Sequence, residues 1–397
     1  MEKTPLAMRK HVSIFGDTNV GKSTLFNKLL GQEAAIVSDV SGTTTDPITK
    51  AMELIPYGPI ALIDTAGLGD DTALGEQRMA RTMEILKRTD LILYVRDVNC
   101  KNVIEPRPID KNIPTVLVFT KCDLADANTL NEASAEYPDS VLMFDYNEKS
   151  MNSLRKKIIE ELEKQERDDE TLIGKLLPKD SSLVLVCPID SEAPRGRLIL
   201  PQVQLIRDCL DHNMKAYVTT EKTLSDSIAE LKKVDLVVTD SQAFRLVDEL
   251  VPKDIKLTSF SMLLANQKGN FGQLYDGAKS IENLSESSKV LMLEGCTHNT
   301  SHEDIGRVKI PALIKKYLGG KAPRQYDYFT GYNMPEDLSE YELIIQCGMC
   351  MINKKEVTSR LEVAGEKKVP ITNYGIALAF LTGILERASE IFRHKEV

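Results

Sequence analysis

The stretch Gly16 to Thr24, GDTNVGKST, constrains this chain more than any other. It fits G-x-x-x-x-G-K-[ST] and lies between an apolar run, HVSIF, that reads as a strand and an amphipathic run, STLFNKLL, that reads as a helix. A strand that feeds a helix through a glycine turn leaves backbone N–H groups at the helix N-terminus, where unpaired donors and the dipole favour anions. Asn19, Val20, Gly21, Lys22, Ser23 and Thr24 are therefore expected to frame a nucleotide's phosphates. Lys22 should reach the β- and γ-phosphates and Ser23 should bind Mg²⁺. The bland alternative, a chance glycine turn, does not explain the flanking strand and helix.

Three further segments follow in the order a nucleotide switch needs. SGTTTDP supplies threonines for a loop, of which Thr44 is expected to complete the Mg²⁺ shell. LIDTAG ends a strand, with Asp64 near the metal and the N–H of Gly67 meeting the γ-phosphate. FTKCD places Thr120, Lys121 and Asp123 where a carboxylate can accept from both N1–H and the 2-amino group of guanine, a pair adenine lacks. The expected nucleotide is GTP. Thr120 stands where most such motifs have Asn, and the later base-contacting loop is blurred (MFDYNEKS), so modest base affinity is expected. Leu68 follows Gly67, and an apolar side chain cannot orient the attacking water, so unaided hydrolysis should be slow.

At 397 residues the chain is too long for one core. Apolar runs alternate with helical patterns throughout, which predicts an α/β protein of three domains. Residues 1–173 should form a P-loop GTPase domain with a mostly parallel sheet, ending where SLRKKIIEELEKQERDDE decays into polar sequence. Residues 174–265 carry a second strand–helix alternation, small enough that pairing with a copy of itself is the expected source of extra burial. Residues 266–397 form the third, αβ domain, in which YGIALAFLTGILERASEIF reads as a buried helix.

No window is apolar for long enough to cross a bilayer, and the N-terminus lacks a signal-peptide pattern. A cytoplasmic protein with no membrane partner is expected. A formal charge of −9 disfavours broad binding to nucleic acid. Seven cysteines, an odd number, argue against a disulfide framework and leave thiols for metal.

Four residues of the third domain have metal-ligand chemistry. KVLMLEGC reads as a strand ending at Cys296, with His298 two residues on, and ELIIQCGMC as a strand running into Cys347 and Cys350. If the strands are parallel, their carboxyl ends share an edge, where open α/β sheets bind ligands. Zinc on Cys₃His and a [4Fe–4S] cluster on three cysteines both suit this set, and a redox pair is a third reading of Cys-x-x-Cys.

Two resemblances narrow these readings. The nucleotide motifs resemble the Era and TrmE group of GTPases, which pair GxxNxGKS with GTT and an apolar residue after the glycine. That resemblance implies that Asn19 helps bind a K⁺ ion in place of an arginine finger. It also implies that Glu76 acts through water in hydrolysis, beside Lys22 and Gly67.

The pattern CTHN…QCGMC resembles the C-x-H…H-C-x-x-C signature of the HydF family of [FeFe]-hydrogenase maturation GTPases, and DSEAPRGRLILPQ resembles that family's segment opening the middle domain. The three-part arrangement is also that family's. The resemblance implies a [4Fe–4S] cluster on Cys296, Cys347 and Cys350, with His298 at the C-x-H position. It further implies a homodimeric scaffold that receives a diiron subcluster precursor from two radical-SAM maturases and delivers it to apo-[FeFe]-hydrogenase. GTP hydrolysis then acts as a switch. Gln346 departs from the family's histidine, and glutamine is a poor iron ligand. The fourth iron is left to His298, to a carboxylate such as Asp190, to His302, or to exchangeable water. The competing readings are an RNA-modification or ribosome-assembly GTPase with structural zinc, and a stand-alone Fe–S redox enzyme.

Overall fold

A computed structural model of the chain describes residues 5–16, 19–31, 48–65, 82–100, 113–165, 171–189, 198–295, 304–335 and 337–395. They fall into two compact units, Met1–Arg167 and Asp168–Val397.

The first unit runs β1 (Lys10–Gly16), α1 (Lys22–Gly31), β2 (Ile48–Leu54), β3 (Gly58–Asp64), α2 (82–87), β4 (Leu91–Asp97), β5 (Thr115–Thr120), α3 (Ala127–Glu136), β6 (Val141–Leu142) and α4 (Glu148–Glu163). Its sheet has the order β2-β3-β1-β4-β5-β6, with β2 antiparallel to β3 and every other pair parallel. Val12, Ile14 and Phe15 of β1 are fully buried, as in a central parallel strand covered on both faces. Helix starts carry the side chains that suit them: Asp126 accepts from the Thr129 N–H and Asn147 from the Ser150 N–H. After β1 the chain builds β2 and β3 on one side and β4 on the other. The crevice at that reversal is where the loop after β1 emerges.

The second unit begins with β7 (Ser182–Val186), α5 (Leu200–Asp211), β8 (Lys215–Thr219), α6 (Leu224–Glu230), β9 (Leu236–Thr239), α7 (Phe244–Leu250), β10 (Lys256–Ser259), α8 (Phe260–Lys268) and α9 (Phe271–Lys279). It continues with β11 (Lys289–Glu294), α10 (Ile310–Tyr317), β12 (Gln325–Thr330), β13 (Leu343–Gln346), α11 (Lys354–Glu366), β14 (Ile371–Asn373), α12 (Tyr374–Leu381) and α13 (Leu385–Ser389). Two all-parallel sheets result, β10-β9-β7-β8 and β12-β11-β13-β14. They share a core: Val184, Val186 and Val237 of one sheet belong to the same buried apolar cluster as Leu291, Leu293 and Ile344 of the other. Leu172 and Ile173 are buried in this unit too, packed with Leu183 and Leu205.

In the third sheet the chain again reverses direction. From β11 it steps to β12 on one side, then crosses to β13 on the other. The strands expected at Cys296 and Cys347 are thus parallel neighbours, Leu293 opposite Gln346.

The stretch from Tyr374 departs from the single buried helix expected. α12 stops at Leu381, Gly383 adopts φ 77°, and the Ile384 N–H reaches back to the Ala379 carbonyl before α13 starts. This is a glycine-terminated helix end, which a Cβ in that left-handed conformation would strain.

Candidate functional site

The described nucleotide residues lie around the turn between β1 and α1. Gly16 ends β1 with φ 144°, and a Cβ there would lie 2.1 Å from the Val95 carbonyl oxygen, so only glycine lets β1 pack against β4 at this point. Asn19 is exposed with φ 61°, Val20 is buried, and Gly21 turns at φ 94° into α1. The Lys22 ammonium is buried and donates to the Gly16 carbonyl at 2.8 Å, across the mouth of the loop. Ser23 and Thr24 are exposed on the first turn of α1.

The Ser23 hydroxyl donates to Asp64 Oδ2 at 2.9 Å, which joins two of the residues expected at Mg²⁺. The other carboxylate oxygen, Asp64 Oδ1, is buried with no hydrogen-bond partner among the described residues. Burial pushes the Asp64 carboxyl above the usual range, against the Ser23 hydrogen bond and the Lys22 charge. An orphaned carboxylate oxygen beside a serine hydroxyl fits a divalent cation, which supplies the charge that burial withholds. Thr44, Gly67 and Glu76 lie outside the described residues.

At the base end, Thr120 is fully buried and its hydroxyl lies 2.7 Å from the Val20 carbonyl and 3.0 Å from the Arg96 carbonyl. Its hydrogen bonds thus go to the phosphate loop and β4. Lys121, at φ 55°, pairs with Asp97 at 2.8 Å. Desolvation raises the Asp97 carboxyl, but the hydrogen bonds from Lys121 and Asn99 outweigh it and hold the group below its usual value. Asp123 is exposed at the start of a short turn, and one of its oxygens accepts the Asp145 N–H at 3.3 Å.

The segment MFDYNEKS proves more ordered than it reads. Asp145 and Tyr146 both take left-handed backbone, φ 49° and 48°, and the Tyr146 hydroxyl donates to the Gly21 carbonyl at 3.2 Å. Nothing in residue type alone announces that contact, since aspartate and tyrosine in tandem do not mark a left-handed turn.

The second candidate site lies at the carboxyl ends of β11 and β13. The Gly295 N–H donates to Cys347 Sγ at 3.0 Å, and the Met349 N–H approaches the same sulfur at 3.4 Å. Cys347 and Cys350 are half-buried. Burial pushes both thiols up; Gly295 and Met349 oppose this at Cys347, and Lys268 at Cys350. A Cβ on Gly295 would come within 2.9 Å of Ile352 and 3.4 Å of Cys347 Sγ, so glycine permits this close approach. Met349 turns at φ 50° and its sulfur contacts Arg360, whose guanidinium pairs with Glu356 (3.0 Å) and donates to the Gly331 carbonyl (2.7 Å). That pair is fully buried, so removing one partner would strand a charge and cost about 3–5 kcal/mol.

Cys296, His298 and Asp190 lie outside the described residues, as does His302. Among the described residues no three His, Cys, Asp or Glu side chains converge on a metal-sized site. Cys296 is nonetheless the residue after Gly295, whose N–H already touches the Cys347 sulfur. Half-buried thiols that accept backbone N–H donors suit thiolate ligation of a metal or cluster. Gln346 is buried and its Oε1 has no partner among the described residues.

Fold and phosphate-loop geometry together define a P-loop GTPase. Residues 11–121 match the 50S ribosome-binding GTPase family, 172–269 the hydrogen maturase F dimerization domain, and 272–391 the hydrogen maturase F tetramerization domain. The chain belongs to the hydrogen maturase F family.

Among curated relatives, the tRNA modification GTPase MnmE of Akkermansia muciniphila is 40% identical over 114 residues, which is 28% of this chain and 25% of that protein. The MnmE of Bordetella parapertussis is 35% identical over 159 residues, 38% of this chain and 33% of that protein. The chain thus spans about a quarter to a third of the length of these relatives. Among solved structures, Aquifex aeolicus Era bound to GDP and AlF4⁻ is 25% identical, covering 38% of this chain and 56% of that one with a TM-score of 0.28. The G domain of the T. maritima FeoB iron transporter is 26% identical, covering 39% and 99% with a TM-score of 0.31.

No described helix is long and apolar enough to cross a membrane.

Proposed function

We propose that this protein is a cytoplasmic GTP-hydrolysing scaffold that carries a [4Fe–4S] cluster on Cys296, Cys347 and Cys350. Its cargo is a diiron subcluster precursor, received from two radical-SAM maturases and delivered to apo-[FeFe]-hydrogenase. The observation that carries the reading is the Gly295 N–H to Cys347 Sγ contact at the reversal point of the third sheet, which brings the neighbourhood of Cys296 to the Cys-x-x-Cys turn. Membership of the hydrogen maturase F family supports it.

In the GTPase unit the phosphates lie along the N–H groups of Asn19 to Thr24, with Lys22 leaving the Gly16 carbonyl for the β- and γ-phosphates. Ser23, Asp64 and Thr44 would hold Mg²⁺, which would supply positive charge against the phosphates. Asp123 reads guanine, Gly67 meets the γ-phosphate, and Glu76 positions water. Asn19, exposed at the loop, would hold a K⁺ ion whose charge would serve in place of an arginine finger. Hydrolysis times changes in the loops carrying Thr44 and Gly67, and those loops govern partner release.

Cys296, Cys347 and Cys350 would hold the cluster as thiolates, and Gln346 would leave its fourth iron to His298, Asp190, His302 or exchangeable water. The domains follow residues 1–173, 174–265 and 266–397, and the middle one forms the homodimer.

Anaerobic reconstitution with iron and sulfide, followed by metal analysis and EPR of the reduced sample, tests this. A cubane signal abolished by Cys296→Ala, Cys347→Ala or Cys350→Ala supports the scaffold. Stoichiometric zinc without iron, together with RNA binding, overturns it in favour of an RNA-modification GTPase.

A further inference from the structure

Lys268 is the last residue of α8, and its side chain is buried. The ammonium donates to the carbonyls of Met349 and Ile352, both at 2.8 Å, and these bracket Cys350. No carboxylate lies within ion-pair distance of it among the described residues. Burial is the largest influence on the ammonium and lowers it to about 8; the groups that act against this are Cys350 and then Cys347. Two carbonyls take two of the ammonium's three donors and leave its charge unbalanced, and a buried charge without a counterion is strongly unfavourable. The anion it faces is the one that forms when the thiols ionise onto a metal.

The turn itself needs holding. Met349 sits in left-handed backbone between the two cysteines, and Gly295 leaves space for a close approach rather than a brace. Lys268 also comes from outside the tetramerization-domain match, which begins at residue 272. Lys268 falls instead within the dimerization-domain match, which ends at residue 269.

We propose that Lys268 is a positioning residue for the metal held by Cys347 and Cys350: its two hydrogen bonds fix the Cys-Gly-Met-Cys turn and its charge offsets the thiolates. This rests on the reading that the turn binds metal. A cation so placed favours the more negative state of a cluster and sets its reduction potential.

The test uses the full chain and two probes. Co²⁺ is titrated anaerobically into apo-protein while the thiolate-to-cobalt absorption is followed, and the iron–sulfide-reconstituted protein is poised electrochemically and read by EPR. Lys268→Gln keeps a donor for one carbonyl but removes the charge; Lys268→Arg keeps the charge. The glutamine variant should bind Co²⁺ about tenfold more weakly and show a more negative cluster potential, while arginine stays within about twofold of wild type. Lys268→Met makes the same comparison if the glutamine variant does not fold, as judged by circular dichroism. Equal Co²⁺ affinity and equal potential in wild type and Lys268→Gln overturn the proposal, as does an arginine variant as impaired as the glutamine one. If the wild type forms neither cobalt–thiolate bonds nor a cluster, the metal reading itself falls, and this inference with it.

Discussion

The Tyr146 hydroxyl donates to the carbonyl of Gly21, tying the loop that supports Asp123 to the turn that cradles phosphate. One hydrogen bond therefore links the base end of the nucleotide site to its phosphate end. Tyr146→Phe removes it at nearly constant volume and should cost about 1 kcal/mol in the ordering of the site. Nucleotide release, followed with a fluorescent GDP analogue, should quicken about fivefold. An unchanged release rate would show that the two loops are ordered independently.

Asp64 Oδ1 is buried without a partner while Oδ2 accepts from Ser23. Asp64→Asn preserves shape and removes the anion that a divalent ion needs. GTP affinity measured with Mg²⁺ should fall about a hundredfold, and affinity measured in EDTA should barely change. Equal losses in both conditions would assign Asp64 a structural role only.

His11 gives the first unit an acid weakness. It is buried in β1, and burial, then the Arg88 charge, lower its imidazole to about 4. The unfolded chain has the ordinary value near 6.5, so below that pH the unfolded state binds the extra proton and the folded state does not. Stability from this residue is complete above pH 6.5 and is lost as pH falls towards 4, by roughly 3 kcal/mol at most. Urea unfolding of wild type and His11→Gln across this window should show a steeper pH slope in the wild type.

β8 is an edge strand of the second sheet, and Tyr217 and Val218 on it are exposed. Exposed apolar groups beside unpaired backbone donors suit pairing with a second copy, within the region that matches a dimerization domain. Val218→Lys should shift the protein towards smaller species in light scattering coupled to size exclusion, with its melting temperature preserved. Retention of the full assembly by the lysine variant would move the dimer contact elsewhere.

Much of this architecture was legible because its strands are short apolar runs between amphipathic ones. β1, β7 and β13 are buried on both faces and announce themselves by composition. β12, QYDYFT, did not, because it is a half-exposed edge strand whose polar and aromatic residues carry no clear period. β14 is only Ile371–Asn373, too short for any pattern. At the site, the phosphate loop could be read residue by residue because its chemistry is local in sequence. The Thr120 contacts were not legible, because its partners, the Val20 and Arg96 carbonyls, are distant in the chain. Lys268 gave no signal for the same reason: a lysine ending a helix usually faces water.

The buried cluster that joins the second and third sheets has a practical corollary for anyone dissecting the chain. A fragment begun at residue 272, where the tetramerization match starts, would bare Leu291, Leu293 and Ile344 and lose the donor to the Met349 and Ile352 carbonyls. Such a truncation should be poorly soluble, and its cysteine turn should hold metal less well than in the intact chain. Residues 168–397, by contrast, keep both sheets and are the smallest piece expected to behave as one cooperative unit.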